Sequence, residues 1–302
     1  MTDATEAAAT ARTPLIVTGA SGQVGRELLR LAPHARGYSR HELDIRDPDA
    51  VRAALEPGAV VLNCAAYTAV DAAETDAEAA FAANGTGPEV LAAACARAGA
   101  RLVHLSTDYV FSGTRSASGD TVPYDTTDAP DPVTVYGRSK LAGERAVLAS
   151  AARAHVVRTA WVYSAGGADF VSTMLRLERE RDTVDVVADQ VGSPTFAADL
   201  AAGLLELAAR PEAPRLLHAT NAGQASWYEL ARAVFAAAGA DPERVRPVDT
   251  AAFPRPARRP AYSVLGNRSW AEARLTPLRE WQVALHAALA RAGAGAAAGT
   301  GD

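Results

Sequence analysis

Lysine is almost absent from this chain. Of its 30 basic residues 29 are arginine, and the one lysine is Lys140. Cysteine is nearly as scarce, with Cys64 and Cys95 the whole supply. Two thiols are too few for a disulfide framework or a zinc site, and they suit a reducing cytoplasm. No apolar run is long enough to span a bilayer. Residues 1–12 hold two acids and no apolar core, so they read as a disordered tail and as neither a signal nor a transit peptide. Positive charge is not in excess either. The net charge of −5 excludes a general attraction to nucleic acid or to a membrane surface. What remains, 302 residues at 49% apolar and 22% charged, has the balance of a globular protein with one large domain or two smaller lobes.

The spared lysine asks for a reason. A solvated surface charge does not need it, because arginine serves there as well. A site that needs a compact ammonium on a flexible stem does, since the planar guanidinium is no substitute. Tyr136 stands four residues earlier, in Tyr136-Gly137-Arg138-Ser139-Lys140. On a helix those two side chains share a face. The ammonium then favours the phenolate and is expected to lower the phenol from its ordinary value of about 10. A tyrosine so poised exchanges a proton near neutral pH. The plain alternative is a surface tyrosine beside a chance lysine, which leaves the exempted lysine unexplained.

Residues 14–18 form a short apolar run that reads as a buried strand, and Gly19-Ala20-Ser21-Gly22-Gln23-Val24-Gly25 follows at once. A helical pattern then covers 26–32. Strand, glycine turn, helix is the context in which such glycines bind a dinucleotide. Gly19 permits the tight turn, Gly22 the approach of a pyrophosphate, and Gly25 close packing of helix on strand. The helix N-terminus adds free N–H groups for the phosphates. The second strand ends near 37–40. An acid there would select NAD, but Ser39 and Arg40 suit a 2′-phosphate and point to NADPH. Asp44 and Ile45 are placed to flank the adenine. The strand at 59–66 ends in Cys64, Ala65 and Ala66 and runs into Tyr67. Such small residues let a cofactor lie against the carboxyl edge of a parallel sheet.

Further along, short and long helices are expected at 49–55 and 78–98. A strand from 101 ends at Ser106 and Thr107, with His104 inside it as a core residue. Asn84 either bridges backbone groups or is solvated. A polar loop at 112–132 has the length of a functional lid. The Tyr136 helix runs to about 152, and a strand covers 155–163. The expected class is α/β, a Rossmann-like doubly wound parallel sheet with a smaller mixed substrate-binding lobe. The division expected is a cofactor domain at 13–164, to which 184–222 returns, a lobe from 165–183 and 223–292, and a disordered tail at 293–302.

These motifs together resemble the extended short-chain dehydrogenase/reductases and, within them, the dTDP-4-dehydrorhamnose reductases. The resemblance covers about residues 14–290. It is carried by the glycine turn, Asn63-Cys64-Ala65-Ala66-Tyr67-Thr68-Ala69-Val70-Asp71, Leu105-Ser106-Thr107-Asp108-Tyr109-Val110-Phe111, and the Tyr136–Lys140 run. Arg158-Thr159-Ala160-Trp161-Val162-Tyr163, residues 189–195 and Arg259-Pro260-Ala261-Tyr262-Ser263-Val264-Leu265 complete it. It implies that Thr107, Tyr136 and Lys140 form a catalytic set. Tyr136 would protonate the alkoxide, Lys140 would hold the nicotinamide ribose and tune Tyr136, and Thr107 would polarise the carbonyl. The cofactor site would take in Gly19 and Ser21 through Gly25, Ser39, Arg40, Asp44, Ile45 and Cys64 through Tyr67. The substrate would be a dTDP-4-keto-6-deoxyhexose, touched by Thr68, Val70, Asp71, Asp108, Tyr109, Trp161 and Arg259.

Related 4,6-dehydratases resemble Thr-Asp-Glu at the triad threonine. Here the run is Thr107-Asp108-Tyr109, which argues against dehydration. Asp169 stands where relatives commonly carry asparagine near the diphosphate. Its carboxylate must turn away, pair with an arginine, or mark a shifted substrate. The second lobe shows helices at 170–181, 197–209 and 226–238 and strands at 184–187 and 215–220. Ser226 and Glu229 form a capping box. Arg255, Arg258 and Arg259 could clamp a diphosphate, while Trp270 and Trp281 read as core anchors. Two other functions stay open, reduction of a different dTDP-4-keto-deoxysugar and a non-catalytic NADP-binding regulatory subunit. Use of NADH, a magnesium requirement and a homodimer also stay open.

Overall fold

In a computed structural model of the chain, residues 13–114, 122–164 and 166–298 are described. The strands among them, in chain order, are β1 (Leu15–Thr18), β2 (Arg36–Tyr38), β3 (Val60–Asn63), β4 (Arg101–Thr107), β5 (Arg153–Thr159) and β6 (Val162–Tyr163). They continue with β7 (Val184–Val187), β8 (Val191–Gly192), β9 (Thr195–Phe196), β10 (Leu216–His218), β11 (Ala225–Ser226) and β12 (Val245–Val248). Six of them make one sheet in the order β10-β5-β4-β3-β1-β2, and every pair in it is parallel.

Both faces of this sheet are covered, which is why its strands read as continuous apolar runs. Val17, Leu62, Val103 and Val157 face one layer, where Leu200, Leu204 and Trp270 pack. Ile16, Val61, Leu102 and Val156 face the other, against Leu91 and Val147. The second unit has its own core, in which Val171, Met174, Phe235 and Trp281 meet the short strands. Trp270 and Trp281 are both buried, as core anchors should be. The helix Trp227–Ala237 begins with the expected box. Ser226 Oγ accepts from the Glu229 N–H at 3.1 Å, and Glu229 Oε2 accepts from the Ser226 N–H at 2.7 Å.

The structure corrects several boundaries. β10 does return to the large sheet beside β5, but β7 does not. It pairs in parallel with β12, so the stretch 184–222 is shared between the two units. The segment 78–98 is not one regular helix. An α-helix over Ala77–Phe81 passes through a π-helical turn at Ala82–Thr86 before Gly87–Ala98. Such turns often serve functional sites, and this one carries Asn84. The strand expected at 155–163 breaks into β5 and β6 at Trp161, whose backbone is left-handed with φ of 46°. The last helix, Trp281–Ala298, runs into the supposed tail, as its alanine-rich sequence favours. The tail assigned to 1–12, and residues 299–302, lie outside the described residues.

Of the polar loop, 115–121 lie outside the described residues. Its flanks dock on the C-terminal segment rather than over the cleft. Gly113 O accepts from the N–H groups of Ala261 and Tyr262, and the Tyr124 N–H donates to Val264 O at 2.8 Å.

Candidate active site

Two adjoining clefts open along the carboxyl ends of the parallel strands, where ligands sit in such sheets. The first is lined by Gly19, Ser21 and Gly22 on one side and by Cys64, Ala65, Ala66, Tyr67 and Thr68 on the other. The glycine turn is built as its sequence requires. Gly19 has φ of +71°, and a Cβ at Gly25 would lie 2.3 Å from Gly19 O. Side chains at either position would close the cradle.

The outer end of this cleft holds Arg40, Asp44, Ile45 and Arg46. Asp44 is gripped by the Arg46 guanidinium at 2.6 and 2.9 Å, and those hydrogen bonds hold its carboxyl down at about 2. Ser39, next to Arg40, is engaged by Glu42. Its N–H donates to Glu42 Oε2 at 2.7 Å. An acid therefore does approach this strand end, from three residues downstream, and Arg40 and Arg46 are left as the positive groups there. Arg46 was not legible as a site residue.

Asn84 resolves into a bridge. Its amide accepts from the Tyr67 N–H at 2.8 Å and donates to Tyr67 O and Ser139 Oγ, both at 3.0 Å. One buried side chain thus fixes the strand-end segment of the first cleft to the Tyr136 helix, Val135–Ala149. His104 is buried against Asn63 Nδ2 at 2.9 Å, a core role as expected.

The second cleft, with a volume of about 690 Å³, joins the glycine turn to Thr107, Asp108, Tyr109, Tyr136 and Lys140. That volume is within the usual range for ligand pockets. Thr107 ends β4 and caps the turn that follows. Its Oγ1 accepts from the Tyr109 N–H at 3.2 Å and donates to Asp108 Oδ1 at 3.1 Å. Asp108 is a buried carboxyl that burial pushes up to about 6, with hydrogen bonds to Ser263 and Thr107 opposing.

Lys140 is 3% exposed, and its Nζ donates to Leu105 O at 2.6 Å. Burial pulls its ammonium down to about 8, and Glu144 and Cys64 act the other way. The expected lowering of the tyrosine does not occur in the free protein. Burial pushes the Tyr136 phenol up to about 12, a hydrogen bond with Thr107 opposes this, and the Asp108 carboxylate adds to it. The reason is geometric, since the ammonium is spent on a backbone carbonyl. Lys140→Arg is expected to cut turnover by about 10²-fold, because the larger planar head cannot keep that seat and misplaces the helix face. Steady-state rates at saturating cofactor test it, and a near-parental rate would show the lone lysine to be incidental.

The far wall of the second cleft is Trp161, with Val70, Val162, Ala168 and Trp227. Trp227 had no signal beyond being an aromatic next to an N-cap. Asp71 and Arg259, both expected to meet substrate, meet each other. The Arg259 guanidinium donates to the Asp71 carboxylate at 2.9 and 2.7 Å, across 188 residues of sequence. Arg259 is thus not a free clamp, and Arg255 and Arg258 are exposed. Asp169 turns away. It caps the helix Phe170–Glu180 through the Ser172 N–H at 2.8 Å and also accepts from the Ser164 N–H.

Several buried polar atoms along the second cleft lack a partner among the described residues: Gln23 Oε1, Ser106 Oγ and Thr159 Oγ1. A buried polar group without a partner is costly, so these fit a site finished by a bound molecule. With the glycine cradle and the small strand-end residues, they suit a nicotinamide dinucleotide. No group of three or more His, Cys, Asp or Glu able to hold a metal occurs among the described residues.

A six-stranded parallel sheet with a glycine turn at its first crossover, and a smaller unit closing the far side of the cleft, define an extended short-chain dehydrogenase/reductase fold. The comparisons refine that class. Residues 13–293 match the family described as RmlD substrate binding domain, and the chain belongs to it. It is 53% identical over 281 residues to the dTDP-4-dehydrorhamnose reductase of Mycobacterium tuberculosis, covering 91% of this chain and 92% of that protein. It is 48% identical over 283 residues to the probable dTDP-4,6-dihydroxy-2-methyloxan-3-one 4-ketoreductase of Streptomyces antibioticus, covering 90% and 93%. The crystal structure of dTDP-4-dehydrorhamnose reductase from Bacillus anthracis in complex with NADP superposes with a TM-score of 0.86 at 35% identity. It covers 92% of this chain and 99% of that one.

Proposed function

We propose that this protein is a cytoplasmic, NADPH-dependent reductase of the C4 keto group of a dTDP-4-keto-6-deoxyhexose, converting dTDP-4-dehydro-L-rhamnose to dTDP-L-rhamnose. The observation that carries the reading is the convergence of Thr107, Tyr136 and Lys140 on one cleft continuous with the glycine turn. The names of the relatives supply the substrate class, and the NADP complex of the Bacillus anthracis enzyme supports the cofactor. The 48% identical ketoreductase keeps a different dTDP-4-keto sugar as the second substrate reading.

NADPH, when bound, supplies the hydride that the carbonyl carbon accepts. The residues of the chain handle the oxygen. Thr107 donates a hydrogen bond to it and stabilises charge as it grows. Tyr136 gives it a proton. A phenol raised to about 12 is still a stronger acid than the alcohol being formed, so the transfer runs downhill. Lys140, charged below about 8 and one helical turn from Tyr136, is assigned to the nicotinamide ribose.

NADPH consumption with dTDP-4-dehydro-L-rhamnose, with the product identified by NMR, tests the reading. Formation of dTDP-L-rhamnose supports it, and no turnover despite NADPH binding defeats it. Arg40 is assigned to the 2′-phosphate, so Arg40→Ala should raise the KM for NADPH about tenfold and leave that for NADH unchanged. Equal losses for both cofactors would remove Arg40 from that role.

A further inference from the structure

Trp161 is a bulky residue in a conformation bulky residues avoid. Its φ of 46° lies in the left-handed region, where a non-glycine side chain is strained. Such strain persists only where the surroundings hold it, and it gathers at ligand sites. Three neighbours hold Trp161. Its carbonyl accepts from the Thr195 N–H at 3.2 Å. Gly192 leaves room for the indole, since a Cβ there would lie 2.4 Å from Trp161 Cε2. Trp227 stacks on the ring, with centroids 3.5 Å apart and planes within 5° of parallel.

Trp227 belongs to the second unit. It opens the helix Trp227–Ala237 directly after the capping box, so its backbone is among the better-fixed points of that helix. Phe170 also packs on it, tilted, with centroids 4.6 Å apart. Both indoles line the second cleft, together with Thr107 and Tyr136. Strain in the Trp161 backbone is thus offset by a flat contact between its ring and one anchored elsewhere. The product of that contact is an apolar plate in the same cleft as the proton donor.

We propose that Trp227 is a positioning residue for the hexose of the nucleotide sugar. It holds the Trp161 indole in its left-handed seat, and the pair presents a fixed apolar wall to the deoxy face of the sugar. The inference rests on the proposed function for the identity of the sugar. It goes further in assigning the wall to a residue of the second unit. A preformed wall raises affinity because the rings are not ordered at the moment of binding. It does not enter the proton or hydride chemistry, so its loss acts on binding of the sugar and not on the step that follows.

The test compares the parent, Trp227→Ala and Trp227→Phe, with dTDP, dTDP-glucose and NADPH as probes. Trp227→Ala should weaken dTDP-glucose binding, and raise the KM for the keto sugar, about tenfold, the worth of one aromatic contact. Its kcat and its affinities for dTDP alone and for NADPH should stay near parental. Trp227→Phe should recover most of the loss, because a ring still faces the indole. The exciton couplet that stacked indoles give in circular dichroism should vanish in both variants and change when dTDP-glucose, but not dTDP, is added to the parent. An unchanged sugar affinity in Trp227→Ala overturns the proposal. So does a parallel loss of NADPH or dTDP affinity, which would assign Trp227 to the fold. A parent that binds dTDP-glucose but reduces no keto sugar defeats the proposed reaction and leaves the Trp227 comparison readable. A parent that binds neither dTDP nor dTDP-glucose overturns both.

Discussion

Replacing Tyr136 by phenylalanine should lower turnover by about 10²–10⁴-fold and leave NADPH affinity unchanged. The ring keeps its edge-on packing against Tyr109, with centroids 5.6 Å apart, so the helix face is preserved and only the hydroxyl is lost. Without it the growing alkoxide must take its proton from water. Thr107 and Lys140 remain, and the residual rate reports what positioning and charge stabilisation achieve alone. Cofactor titration followed by fluorescence, beside the rate of NADPH oxidation, separates the two effects. Parental turnover in this variant would end the assignment of Tyr136 as the acid. Retained cofactor binding with no activity in the parent itself would instead favour a regulatory binding role.

The second large effect is on stability. Glu144 and Arg158 are 1% and 2% exposed and are joined by two hydrogen bonds, of 2.9 and 2.7 Å. They tie the Tyr136 helix to β5 beneath the catalytic face. Glu144→Ala strands a buried guanidinium and should cost about 3–5 kcal/mol, a fall in melting temperature of roughly 10 °C. The double variant Glu144→Met with Arg158→Met should recover most of this, because two apolar side chains replace a pair that itself pays heavily to leave water. A single variant as stable as the parent would show that Arg158 finds another partner. The double variant carries a second expectation. Glu144 raises the buried ammonium of Lys140. Without it Lys140 loses its proton at lower pH, so the alkaline limb of kcat/KM should move downward from about 8.

What was legible in the sequence was what depends on neighbours. The glycine turn, the strands of the large sheet, the Ser226 box and the shared face of Tyr136 and Lys140 are set by spacings of a few residues, and the fold keeps them. What was not legible depends on partners far along the chain. The family resemblance assigns Asp71 and Arg259 to the substrate, and only the fold shows that they meet each other. Ser39 looked available for a phosphate until Glu42 folded back onto its N–H. Trp161 read as the interior of a strand, since nothing local reveals a left-handed residue held by Gly192 and Trp227. The sign of the tyrosine shift failed for a similar reason. Spacing placed the lysine near the phenol, but burial and the Leu105 carbonyl decided where the ammonium went.

The chain builds β7, β8 and β9 before it lays β10 along the edge of the large sheet. During synthesis the cofactor sheet therefore stays one strand short until residue 218 has cleared the ribosome tunnel. Most of the second unit, from β11 onward, follows β10 in the chain. Val157 and Val156 wait on an unpaired edge during that interval. Any stalled product ending before β10 carries β5 as an open edge strand, although the strands that form the glycine-turn cleft are already made.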